Sequence, residues 1–351
     1  MRAAIAWLIV VTTITAWDPG LFGHAGSTAD PFRDGKLRLL VYCLAPVLAW
    51  VLSARISPIL CVLWAWWVCL WAYMGLDAYG WKEVALPPLF LLGARYVTRL
   101  SPVGTERALR ACYLVQVLLA LTQILGWAPP FDGIPSTEPM GTMGQFTFLG
   151  AFVACLVPYA LFRWSAAEAF LGFLAVVSTG SAMSLAALGA ATVAVFWKEI
   201  SVRLAASTAA LGLAISGGLW VTLPDNSFFN TSGRSYVWAL AWERIKERPW
   251  GWGPGSWEGL YVFWNVPSVT PRLTWDRLHS DWLQLVFEGG WISGILAALF
   301  VAGFLVHTRS SLRAAIVAGL AVNALGNFPL HFAATAWLLC LGIAFPEDHE
   351  A

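Results

Sequence analysis

Charge is what this chain has least of. Only 12% of its 351 residues are charged and 59% are hydrophobic, with a formal net charge of +1. A soluble domain carries about 25% charged residues. Near-neutrality leaves no global field to gather nucleic acid or a strongly acidic partner, and none is expected. Material for metal or redox chemistry is equally short. The six cysteines (Cys43, Cys61, Cys69, Cys112, Cys155 and Cys340) all fall in apolar runs, without Cys-x-x-Cys or Cys/His spacing. They read as small buried hydrophobes, so no metal and no cofactor is expected. An internal repeat of the kind that marks many secondary transporters is also missing. Thr15-Ala16-Trp17 is a poor small-x-small cleavage site and more spans follow, so the first apolar run is expected to be retained as a helix.

What is present is apolar length. The mean hydropathy is +0.68, and a bilayer core of about 30 Å needs roughly 20 helical residues per crossing. Measured by that ruler, the chain is an all-α, polytopic membrane protein with about twelve spans. They lie near 3–17, 39–54, 59–76, 84–98, 108–127, 146–162, two within 167–197, then 204–223, 286–307, 313–328 and 330–345. The Ser178-Thr179-Gly180-Ser181 cluster divides the 167–197 run, and Pro87-Pro88 interrupts the fourth span. Under strict alternation Arg2, Arg55, Arg99, Arg107, Arg110, Arg163, Lys198, Arg203, Arg309 and Arg313 fall on one side, which the positive-inside rule makes cytoplasmic. Both termini share that side. The 18–38 loop, with Arg33, Lys36 and Arg38 outside, disagrees.

The organisation is a 1–140 membrane region and a 141–351 region that contains a large external loop, 224–281, between the ninth and tenth spans. This loop is the one long polar interval. Ser232 is placed to cap a helix starting near Gly233, on which Trp238, Ala241, Trp242 and Ile245 share one face and Glu243, Arg244, Lys246 and Glu247 the other. Pro249 ends it, and Pro249-Trp250-Gly251-Trp252-Gly253-Pro254-Gly255 forces turns; such a turn suits close backbone approach to a ligand. His279 and His24 are the histidines placed outside the spans on this side. An imidazole near its ordinary pKa can accept a hydroxyl proton, though a lone His is more often a loop residue or cap. Arg234, Arg272 and Arg277 offer guanidinium forks that match phosphate oxygens, or else pair with Glu243, Asp276, Asp281 or lipid headgroups.

Gly233-Arg234 followed by Trp238, then PWGWGPGSW at 249–257, then HSDWLQLVFEGG at 279–290 resemble, in order and spacing, the O-antigen ligase and O-antigen polymerase superfamily of membrane glycan transferases. GTMGQFTFLGAFVACLVP at 141–158 and NFPLHFAATAWLLCLGIA at 327–344 extend the likeness over about 141–345. It implies a fold like that of type C glycosyltransferases in the bacterial inner membrane. The implied enzyme is inverting and metal-independent, and passes a glycan from undecaprenyl diphosphate to an acceptor hydroxyl at the external face. It implies His279 as the base, with Arg234, assisted by Arg272 or Arg277, on the diphosphate, and Asp276, Asp281 or Glu288 orienting the imidazole. The acceptor is lipid A–core for a ligase, a growing glycan for a polymerase, or a protein Ser or Thr for a protein-directed transferase. A solute transporter and a non-catalytic binder of lipid-linked glycan are the readings from other classes. Two places depart from the family pattern. Gln145 and Thr147 stand where Asn is common, and Ser181-Ala182-Met183 stands where Ser-Arg-Gly is common. That arginine is implicated in holding the diphosphate; Lys82, Arg272 and Arg277 are candidates to replace it.

Overall fold

The computed structural model describes residues 102–126, 139, 141, 143, 145–197, 234–261, 277–331 and 333–344. The expected spans at 3–17, 39–54, 59–76, 84–98 and 204–223 lie outside these residues, as do Arg272, Asp276, Lys82, His24 and the Ser232 cap. Among the described residues all regular structure is helical.

In chain order the elements are α1 (Pro102–Ile124), α2 (Phe146–Tyr159), α3 (Ala166–Ser178), α4 (Ala182–Phe196), α5 (Arg234–Glu247), α6 (Ser256–Leu260), α7 (Asp281–His307), α8 (Ser311–Asn323) and α9 (Ala333–Ala344). Among the described residues, three stretches are long and apolar enough to cross a membrane: Pro102–Ile124, Phe146–Trp164 and Asp281–His307. The expected division of 167–197 is observed. Ser181 caps α4 by accepting from Ser184 N–H at 3.2 Å, which fixes where the second helix starts.

The core is built on α2, where every residue from Thr147 to Tyr159 is buried. It packs between α3, α4 and α8. Small residues permit this closeness: a Cβ on Gly319 of α8 would lie 2.6 Å from Cys155 Sγ of α2. Pro158 removes a backbone donor within α2, and the chain continues as a π-turn over Ala160–Trp164. Beyond it Ser165 caps α3 through Glu168 N–H, at 3.1 Å. The Glu168 side chain bonds Arg110, and Glu106 accepts from Trp164 Nε1 at 3.0 Å, tying the start of α1 to the end of α2.

The pairings set the helix directions. Gly150 of α2 faces Ser184 of α4, so those helices run parallel, while Gly319 meets Cys155 and Ala187 as α8 runs back. One end of the bundle therefore gathers Arg107, Arg110 and Arg163 with the start of α8, where Arg313 donates to Gly342 and Ile343 carbonyls at 3.2 and 2.7 Å. The other end gathers the starts of α2, α4 and α7.

Two expected spans are corrected in extent. Instead of 313–328 and 330–345, α8 ends at Asn323 and α9 begins at Ala333. Pro329 disfavours helical geometry at Phe328 and has no N–H of its own, so 324–331 is a turn ending in a 3₁₀ segment, Pro329–His331. The expected 286–307 span is the later part of α7, which begins at Asp281 under a Ser280 cap and breaks at Gly290 (φ 71°, ψ −179°).

Gly319→Val tests the α2–α8 contact. Overpacking of this kind costs about 1–3 kcal/mol, so the purified variant in detergent should unfold at lower temperature than wild type. An unchanged midpoint would mean that the two helices are not packed this closely.

Candidate functional site

The helix α5 begins at Arg234 and buries Val237, Ala241 and Ile245, one residue every four, against Trp257, Leu278 and Phe287. Trp238 donates from Nε1 to Leu278 O at 2.6 Å. The expected apolar face is thus rotated: Trp242 is 44% exposed and meets Trp291 edge-to-face with centroids 5.5 Å apart. The opposite face carries exposed pairs, Arg244–Glu247 at 2.7 Å and Lys246–Glu243 at 2.8 Å, which contribute little to stability.

The glycine-rich turn after α5 makes its close approach to the chain's own backbone. Breaking α7 at Gly290 leaves carbonyls and an N–H without helical partners, which an apolar surrounding does not tolerate. The 249–255 turn supplies them. Trp252 N–H donates to Phe287 O at 3.0 Å and Gly253 N–H to Glu288 O at 2.9 Å, while Trp291 N–H donates to Pro249 O at 3.1 Å. A Cβ on Gly251 would lie 2.4 Å from Glu288 O, and one on Gly290 2.4 Å from the Trp250 carbonyl carbon. Both glycines sit at positive φ, so sterics and backbone conformation require them together. Glu288, fully buried, completes the junction: it accepts from Gly255 N–H at 2.9 Å and from Gln284 Nε2 at 3.0 Å. Its carboxylate, one of three considered for orienting His279, is held in this junction.

The site lies at the start of α7, against the 324–331 turn. His279 has φ +52°, the one non-glycine residue with positive φ among the described residues, and its ring stands edge-on to Phe328, with centroids 4.9 Å apart. Phe328 meets Phe148 of α2 in the same way at 5.1 Å. Arg234 reaches the same turn from α5, donating from Nη1 to Gly326 O at 2.9 Å and to Asn327 Oδ1 at 3.4 Å. Burial pushes the Arg234 pKa down, yet a guanidinium keeps its proton in any protein setting. Two side chains distant in sequence, a guanidinium and an imidazole, are thus brought to one turn.

The other expected residues divide. Arg277 is buried and lies 3.7 Å from the Glu258 carboxylate of α6, an ion pair that the sequence did not single out. Asp281 is directed to a different imidazole: it bonds His331 Nδ1 at 2.8 Å and accepts from Leu330 N–H at 2.9 Å. Ser280 Oγ and Asp281 N–H reach the same turn at Ala324 O and Asn327 O, at 3.3 and 3.0 Å. Sequence reasoning missed Asn327, Phe328 and His331, having counted them as span residues. The available signal was two polar side chains and a proline inside an apolar run. The departure at 181–183 also reaches this place, since Met183 packs where a Cβ on Gly326 would fall, 2.8 Å from its Cγ.

Residues 140–298 match the O-antigen ligase family. No curated protein matches the chain. The matched part takes in α5, the 249–255 turn, His279 and the break in α7, and ends before the 324–331 turn.

Glu288→Ala withdraws the acceptor of two buried donors, at about 1–3 kcal/mol each. It should lower the unfolding temperature in detergent and open the 248–256 segment to limited proteolysis, with Glu288→Gln intermediate. Wild-type cleavage kinetics in Glu288→Ala would contradict the junction.

Proposed function

We propose, from the match of residues 140–298 to the O-antigen ligase family of glycosyltransferase-like membrane enzymes, that the chain transfers a glycan from undecaprenyl diphosphate to an acceptor hydroxyl at the external face of the inner membrane. The observation that carries this reading is the meeting of Arg234 and His279 at the 324–331 turn.

In the proposed reaction His279 takes the proton of the acceptor hydroxyl as its oxygen attacks the anomeric carbon. The bond from that carbon to the diphosphate breaks, the configuration inverts, and the diphosphate leaves with the electron pair. A cation beside the departing oxygens removes the need to protonate them. Arg234 supplies it: its contacts with Gly326 and Asn327 use Nη1, and Nε and Nη2, without a partner among the described residues, are left to donate to phosphate oxygens. Its partial burial strengthens that attraction relative to water. Arg234 bonds the Gly326 carbonyl, and Met183 of the 181–183 departure packs on the same Gly326; we assign Arg234 the larger share of diphosphate binding. Arg277 assists through the end of α6, with Arg272 as a further candidate. The arginine-bearing end of the bundle is the cytoplasmic one in this reading, which puts the site on the opposite face. Lipid A–core, a growing glycan and a protein hydroxyl are the acceptor classes to be compared. No metal takes part, so chelation should leave turnover unchanged.

His279→Ala should lose about 10²–10⁴ in transfer rate, the usual contribution of a general base, while still inserting into membranes. Wild-type turnover by purified His279→Ala with a lipid diphosphate-linked glycan would remove the mechanism. Arg234→Lys should weaken both donor binding and turnover although charge is kept, because the planar fork is lost. Unchanged donor KM and kcat in Arg234→Lys would assign this side chain to the fold alone.

A further inference from the structure

Asp281 and His331 form a polar junction that the mechanism above does not use. Asp281 is the first residue of α7 and grips the 324–331 turn at three points. Its N–H donates to Asn327 O at 3.0 Å, one carboxylate oxygen accepts from Leu330 N–H at 2.9 Å, and the other lies 2.8 Å from His331 Nδ1. The two side chains are only 5% and 12% exposed, so this is no solvent-screened surface pair. An ionised carboxylate can only accept. With the His331 proton on Nδ1 the carboxylate accepts from both groups, and the bond holds the ring in one orientation.

What the grip holds in place is Phe328, between Leu330 and Asn327 on the same turn. Its ring is the edge-on neighbour of His279 (4.9 Å, 80°) and of Phe148 (5.1 Å, 78°). His279 itself stands two residues before Asp281, in the left-handed backbone conformation, a state that persists where surrounding structure enforces it. The backbone of His279 and the ring packed on it are thus both anchored at Asp281.

We propose that Asp281 and His331 are a positioning pair for His279: the ion-like hydrogen bond locks the 327–331 turn onto α7, and through Phe328 it fixes the His279 imidazole. The proposal rests on His279 being the base. His331 acts here through its Nδ1–H alone and does not touch substrate.

The test uses the full chain purified in detergent, as wild type, His331→Ala, His331→Asn and Asp281→Asn. The first readout is the rate at which diethylpyrocarbonate modifies His279, followed by mass spectrometry, which needs no transfer activity. The second is kcat against donor KM. His331→Ala should change the His279 modification rate several-fold and lower kcat by up to about 100-fold, the scale of a misplacement of about 1 Å, with donor KM unchanged. His331→Asn, whose amide can still donate to Asp281, should recover most of both. Asp281→Asn, which loses one acceptor oxygen, should shift both in the direction of His331→Ala and serves where that variant does not fold. The pair has no positioning role if His331→Ala or Asp281→Asn leaves the His279 rate and kcat unchanged. Equal loss of kcat in His331→Asn and His331→Ala, with the His279 rate unaltered, would instead give His331 a direct chemical role and overturn the proposal. Should wild type show no transfer, the base reading fails, and the modification rates still decide the positioning claim.

Discussion

The structure around the site depends on one exchange of backbone hydrogen bonds, between the broken helix α7 and the turn that precedes α6. A helix interrupted at Gly290 exposes the carbonyls of Phe287 and Glu288 and the N–H of Trp291. Each is met by the 249–255 turn, and the geometry closes only because Gly251 and Gly290 lack side chains where the two backbones touch. Glu288 then binds the far end of the same turn through Gly255 N–H. With these contacts made, α5 and α6 have a fixed seat on α7, and Arg234 at the start of α5 has a fixed place.

The first turn of α7 is held from its other side by the 324–331 turn. Ser280, Asp281 and Trp282 all bond to it or to the end of α8, the last through Trp282 Nε1 to Ala321 O at 2.8 Å. His279 immediately precedes this doubly anchored turn. Its position therefore inherits the rigidity of two independent attachments, one to the loop region and one to the apolar bundle. A group that moves a proton gains from such preorganisation, since small errors in placement carry large rate penalties.

How much of this was legible beforehand follows from the range of each interaction. The division of 167–197 and the end of α5 before Pro249 were readable because each is decided within a few residues. His279 and Arg234 stood out as polar side chains in the external interval, and the fold does bring them together. The target of the glycine-rich turn was hidden, because backbone-to-backbone contacts leave no side-chain pattern at the partner. Glycines announce close approach without saying to what. Asp281 was one of three carboxylates considered for orienting His279, whereas the imidazole it bonds is that of His331, fifty residues on. The length of apolar sequence around His331 concealed a turn that Phe328-Pro329 dictates locally. The buried face of α5 was misjudged for the reverse reason: Trp242 is apolar enough to bury, and yet lies out against Trp291.

The central claim, that this end of the bundle transfers glycan from a lipid carrier with His279 as base, is tested most directly in a deletion strain complemented with wild type or with His279→Ala. The quantities to measure are the acceptor-linked surface glycan and the lipid-linked pool. The account predicts that deletion abolishes long acceptor-linked chains, that wild type restores them, and that His279→Ala, present in the membrane at equal level, does not. Full restoration by His279→Ala, or a deletion strain with both pools unchanged, would contradict it.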